Sequence, residues 1–217
     1  MILKASLYAV PLLLGVILHE VAHGWAAEKF GDPTARLMGR ITLNPLVHID
    51  PMGTVILPLL LLITKAPFLF GWAKPVPVNF GNLRGGRQSM AWVALAGPLT
   101  NFLLASASAA LYHLIFAGFK NGWISPHTLA ASVAEPLFLM AGISVQFNLV
   151  LMVINLLPIP PLDGGRIAVG LLPAPMAAQL ERLERFGILI VLLLIGTGVW
   201  GYIVTPVLSI FTKLLLG

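Results

Sequence analysis

A chain of 217 residues that is 58% hydrophobic and only 10% charged, with a mean hydropathy of +0.94, is not an ordinary soluble domain, which carries about 25% charged residues. It reads as one multi-pass membrane domain over 1–217, with no stretch polar enough for a large soluble module. It has no cysteine, which excludes disulfides and cysteine–zinc sites; its net charge of +5 sits on scattered connector residues such as Lys29, Arg36, Arg40, Lys74, Arg84 and Arg87, a pattern for cytoplasmic loops and anionic headgroups, not for nucleic acid.

The first long helix is expected over 4–28, bent on its approach to His19 by Pro11 and ended by Gly31-Asp32-Pro33. Met1 to Leu14 resembles a signal peptide, but cleavage there would strand the most distinctive motif of the chain, so an uncleaved membrane helix is expected. Thr34–Asn44 alternates loosely and carries β-branched residues near its end, which predicts a short hairpin or edge strand. Asn44-Pro45 turns the chain towards His48 and Asp50. Thr54–Ile63 is apolar but too short to cross a hydrocarbon core of about 30 Å unaided, so it reads as a half-helix or short span.

The connector Phe68–Phe80 holds Pro75 and Pro77, which favour an extended backbone. Gln88–Phe119 is a long apolar stretch containing Gly97-Pro98-Leu99-Thr100-Asn101, followed by small residues suited to close helix packing. After a polar loop comes a span over 135–157, whose Gln146, Asn148 and Asn155 need partners away from lipid. The prolines of Leu157-Pro158-Ile159-Pro160-Pro161-Leu162-Asp163-Gly164-Gly165 forbid a continued helix, and the two glycines permit a sharp turn beyond Asp163. A last span over 186–216 is interrupted by Pro206. The fold class expected is all-α and polytopic, with four to six membrane helices and a small membrane-associated β-hairpin or sheet after the first. The core of the domain is expected over about 4–167.

Within the first helix stands His19-Glu20-Val21-Ala22-His23. Residues four apart share one helix face, so His19 and His23 can bind one divalent ion. Glu20 is rotated off that face, placed to act as a general base on water beside the ion. Three ionisable groups in so apolar a run are costly without a task. A catalytic zinc site needs a third protein ligand, and His48, Asp50 and Asp163 are the candidates; Asp163 is favoured because an acid beside a broken membrane helix is otherwise unexplained. Ala26 and Lys29 replace the Gly and His of the longer metzincin pattern, which excludes that class.

The H-E-V-A-H helix together with N-L-L-P-I-P-P-L-D-G-G resembles the site-2 protease family of intramembrane zinc metalloproteases, over roughly residues 10–167. The resemblance is to its short branch, without PDZ or CBS domains. It implies one Zn2+ per chain held by His19, His23 and Asp163, with Glu20 as catalytic base and Asn155 assisting substrate binding or the oxyanion. It implies a membrane-embedded β-element at Thr34–Asn44, and Thr34, Arg36, Gly39, Ile41 and Asn44 are the substrate-binding residues expected on it. The expected partners are a transmembrane protein substrate and the lipid bilayer. The expected location is the cell membrane, with the site opening to the cytoplasmic side. The rival reading is a multi-pass metal-binding or metal-transport protein, but such folds often carry paired repeats and several midplane acids, absent from this sequence, and have no use for Glu20.

Overall fold

The apolar run that begins the chain carries Pro11 but meets no Gly-Pro stop before Gly31-Asp32-Pro33. In the computed structural model, which describes residues 2–65 and 71–217, it forms one helix, α1 (Ile2–Lys29), with Pro11 inside it. Two more long helices follow, α4 (Gly86–Lys120) and α5 (Leu129–Asn155). A helix rises 1.5 Å per residue, so about 20 residues cross the hydrocarbon. The apolar stretches of α1, α4 and α5 are 23, 35 and 27 residues long, enough to span. α5 begins earlier than the 135 expected because the Thr128 hydroxyl caps it, accepting the Ala131 N–H at 3.2 Å.

α4 is the hub. It packs along α1, α5 and α6 (Asp163–Leu171), and α1 also lies against α5. Its buried residues Asn101, Ala105 and Ala109 recur every fourth position, and the small side chains let Val145, Leu149 and Met152 of α5 close on it. After α6 come the short amphipathic α7 (Ala174–Arg182) and the apolar pair α8 (Gly187–Gly196) and α9 (Val199–Leu216). The last span is therefore broken, but not at Pro206, which lies inside α9. The chain turns at Gly198, with φ of 75°, and the two helices meet at 83°. Taken as one broken span, the pair brings the described membrane helices to four. Pro51–Ile63 is an apolar helix too short to cross, with wide turns over Pro51–Ile56 continued by α3 (Leu57–Ile63).

The expected β-hairpin after α1 is wrong: no strand occurs among the described residues. Thr34–Leu37 is a helical turn, α2. Local polar chemistry outweighs the weak alternation. Pro33 leads into the turn, the Asp32 carboxylate accepts the Thr34 N–H and hydroxyl, and Ala35 is buried against Gly24 of α1. Arg36 turns back to pair with Glu28 on α1. Gly39 then takes a left-handed conformation (φ 65°), and Asn44 caps the 3-10 turn Pro45–His48.

The part of the 68–80 connector from Gly71 to Asn79 is neither helix nor strand, and Asn79 at its end is extended (φ −93°, ψ 98°); residues 66–70 lie outside the described residues. This stretch is held by groups that are not strands. Trp72 N–H donates to the Gly53 carbonyl (3.2 Å) and Lys74 N–H to the His48 carbonyl (2.9 Å). Arg40 donates to the carbonyls of Lys74 (2.9 Å) and Pro75 (3.3 Å), and Asn79 N–H donates to Asp32 (2.6 Å). Burial of Asp32 would raise its pKa, but the hydrogen bonds from Thr34, Asn82 and Asn79 outweigh it and hold the carboxyl below its usual range.

Candidate metal centre

The helical spacing of His19 and His23 brings their rings together on the buried side of α1, edge to face, with Nε2 atoms 3.1 Å apart. What fixes the rings lies on α4. His23 Nδ1 is 2.8 Å from the Val93 carbonyl, which can only accept, so Nδ1 carries the proton. His19 Nδ1 is 2.6 Å from Asn101 Oδ1. The Asn101 amide nitrogen donates to Asn148 Oδ1 (2.9 Å) and to the Gly15 carbonyl (3.1 Å), which turns its oxygen towards His19. Asn148 donates in turn to Ser144. With both Nδ1 atoms protonated, both Nε2 atoms present lone pairs to the space between them.

Asp163 completes that space. The chain leaves α5 at Asn155, turns through Pro158-Ile159-Pro160-Pro161 and starts α6 at Asp163. Gly164 and Gly165 are not a sharp turn beyond Asp163, as their sequence suggested. They are the first residues of α6 after it, and side chains there would run into the backbone at Leu156 and Pro160. Their smallness lets the chain fold back on itself and bring Asp163 to α1. Its carboxylate oxygens lie 3.1 Å from His19 Nε2 and 3.3 Å from His23 Nε2. Oδ2 is buried and accepts no hydrogen bond despite that short distance.

Three buried acceptors within about 3 Å of one another repel unless a cation is shared between them. Ligand bonds of about 2.0–2.1 Å in a tetrahedral site give edges near 3.3 Å, so the observed separations fit a divalent ion. His19, His23 and Asp163 are the group among the described residues that can do this. Gly97 of α4 makes room for it, since a Cβ there would overlap both imidazoles. The other third-ligand candidates go elsewhere. His48 Nε2 bonds the Thr42 carbonyl, and Asp50 caps the helix at Gly53.

Glu20, half-buried on the adjacent face of α1, accepts the Val76 N–H on Oε2 at 2.7 Å. Asn155, at the end of α5, donates to the Leu151 carbonyl one turn back and not to the histidine–carboxylate cluster. The five residues expected on a substrate-binding strand are not gathered into an edge. Thr34 bonds Asp32, Arg36 pairs with Glu28, Gly39 makes a turn, Ile41 packs near Gly24, and Asn44 caps the Leu46 N–H. The strand that would have aligned them does not form.

Asn101, Val93, Gly97 and Val76 were missed by sequence reasoning. Asn101 carried a usable signal, being an amide inside an apolar helix. Replacing it with Leu should weaken divalent-ion affinity about 10- to 100-fold, read with Zn2+ against a competing chelator. Unchanged affinity would show that the Nδ1 anchor of His19 is dispensable.

Residues 7–195 match peptidase family M50. The chain is 37% identical over 200 residues to YwhC of Bacillus subtilis (strain 168), whose name places it among the zinc metalloproteases; the match covers 92% of this chain and 84% of that one. It is 31% identical over 188 residues to the similarly named Rip2 of Mycolicibacterium smegmatis, covering 85% of this chain and 64% of the relative. Rip2 of Mycobacterium tuberculosis (strain H37Rv) is 34% identical over 152 residues, or 70% and 52% of the two chains. The chain thus spans between half and two thirds of the length of the Rip2 relatives. No solved structure matches it significantly.

Proposed function

This chain belongs to peptidase family M50, and from that premise we propose that it is a site-2-type intramembrane zinc metalloprotease, cutting transmembrane protein substrates. It is a multi-pass membrane protein. The observation that carries the proposal is the convergence of His19, His23 and Asp163 inside the helical bundle, with both Nδ1 atoms already anchored.

In this reading the three side chains hold one Zn2+ per chain. Bound zinc supplies Lewis acidity and makes water nucleophilic near neutral pH. Everything else falls to the chain's own residues. Asn101 and the Val93 carbonyl hold the rings in the tautomer that leaves Nε2 free. Glu20 takes the proton from the attacking water on its free oxygen, Oε1, and returns it to the leaving amine. Asn155, at the start of the proline break that delivers Asp163, orients the substrate carbonyl by exchanging its bond to Leu151 for one to substrate. The packed faces of α1, α4, α5 and α6 keep lipid from the polar cluster.

The site opens to the cytoplasm in this proposal. Supporting it, Lys29 ends α1 just beyond the histidines, and Arg84 and Arg87 flank the start of α4 at the same end. Clustered basic residues mark the cytoplasmic side of a membrane protein.

The test is cleavage of membrane-spanning substrates by the purified chain in lipid nanodiscs, with fragments read by mass spectrometry. Chelation should reduce cleavage by at least about a hundredfold, and stoichiometric Zn2+ should restore it. Fragments that persist after chelation, or that arise only from soluble tails, would defeat the proposal.

A further inference from the structure

Glu20 accepts a hydrogen bond from outside its own helix, and the donor lies in the irregular connector between Gly71 and Asn79. The segment Lys74-Pro75-Val76-Pro77-Val78 contains a single main-chain N–H between its ends, that of Val76, because proline has none. That N–H is the one donated to Glu20 Oε2, at 2.7 Å.

The arrangement is built from both sides. Val76 is 7% exposed, and its side chain lies on Gly24, where an added Cβ would be 2.9 Å from Val76 Cγ1. Gly24 is one turn beyond Glu20 on α1, so Val76 seats its side chain on one turn of the catalytic helix and its amide on the next. The segment cannot drift along the helix. Lys74 is tied to the His48 carbonyl, Arg40 bridges the carbonyls of Lys74 and Pro75, and Asn79 is tied to Asp32. The two flanking prolines fix their own φ near −65° and push the residue before each into extended conformations. An amide aimed by two prolines, in a segment anchored before and after, is a fixed donor.

We infer that Val76 is a positioning residue for catalysis: its backbone amide fixes one oxygen of the Glu20 carboxylate and leaves the other for the proton in transit. The inference rests on Glu20 being the proton acceptor proposed above. A carboxylate on a long side chain has several rotamers, and only those that reach the water beside the metal are productive. Removing the other orientations by a preset donor lowers the reorganisation needed at the moment of reaction. The prolines on either side thereby acquire a function besides stiffening the connector.

The test compares wild type, Glu20→Gln, Val76→Pro, Val76→Ala and Ala73→Pro as full chains in nanodiscs. It reads kcat and KM on a cleavable transmembrane peptide, and bound zinc per chain. Val76→Pro removes the amide from a backbone that already runs between prolines. Its kcat should fall about 10- to 100-fold, the size expected for one hydrogen bond to a charged group, with KM and zinc content unchanged. Val76→Ala keeps the amide, and its kcat should exceed that of Val76→Pro by about tenfold or more. Ala73→Pro stiffens the same segment without touching the Val76 amide and should stay close to wild type.

Wild-type kcat in Val76→Pro, with Glu20→Gln inactive, overturns the inference and leaves the base assignment standing. An active Glu20→Gln overturns the base assignment instead. Loss of zinc in Val76→Pro, or an equal loss of kcat in Ala73→Pro, would make the segment merely structural. A rise in kcat would make the amide a restraint. If Val76→Pro does not accumulate, 15N-valine labelling carries the test. The Val76 amide proton should lie downfield and move upfield in Glu20→Ala, and an unmoved resonance overturns the contact.

Discussion

Glu20→Gln should lower peptide cleavage by about 10²- to 10⁴-fold, the usual contribution of a positioned general base, while bound zinc stays at the wild-type level. The substitution is nearly isosteric. Glutamine can still accept the Val76 N–H on its carbonyl oxygen, so the connector keeps its anchor. The amide cannot take a proton from water, so the step that needs a base fails. His19, His23 and Asp163 are unaltered, and so are the Asn101 and Val93 contacts behind them. Cleavage and metal content measured on one preparation separate the readings. A protein that carries metal across the membrane would keep its flux in this variant. Loss of zinc together with activity would mean that Glu20 holds the ion and not the water.

Gly97→Ala should empty the centre although residue 97 holds nothing. The added Cβ would overlap His23 Nε2 and come within 2.6 Å of His19 Cε1 and 2.7 Å of His19 Nε2. Neither ring can step aside freely. Each is tied through Nδ1 to α4 itself, His19 by Asn101 and His23 by the Val93 carbonyl. The methyl group, its obstacle and the anchors of that obstacle share one helix interface. Either the rings turn and lose their shared focus, or α4 moves off α1 and carries the anchors with it. Overpacking of this kind costs about 1–3 kcal/mol in stability, which a bundle can survive. Zinc held by convergent lone pairs should fall below about a tenth of an ion per chain, since ligand geometry tolerates only about 0.2 Å. Helix content by circular dichroism should be unchanged. Full zinc occupancy in Gly97→Ala would show that the rings have more freedom than their two anchors imply.

Much of this was legible in the residues. Composition alone gave a membrane protein, and the histidine spacing gave two facing imidazoles, because helix periodicity is a property of a few consecutive residues. The proline run and Asp163 were legible for the same reason: proline acts on its own backbone wherever it stands. Short-range arguments also failed where two local signals competed. Alternation over Thr34–Asn44 suggested a strand, but a single buried carboxylate at Asp32, with Pro33 beside it, set a helical turn. Pro206 predicts an interruption of the last span, yet it is accommodated inside α9 and the break falls at Gly198.

The sequence by itself determined which side chains could meet an ion and where the chain must bend. Only the tertiary structure decided what holds them. His19 meets Asn101 across 82 positions, His23 meets Val93 across 70, and Glu20 meets Val76 across 56. Those partners depend on the rotation and axial register of α4 and of the irregular connector against α1. That register is set by the summed packing of Gly24, Gly97, Ala105 and Ala109 with their neighbours, and no local pattern of residues encodes it.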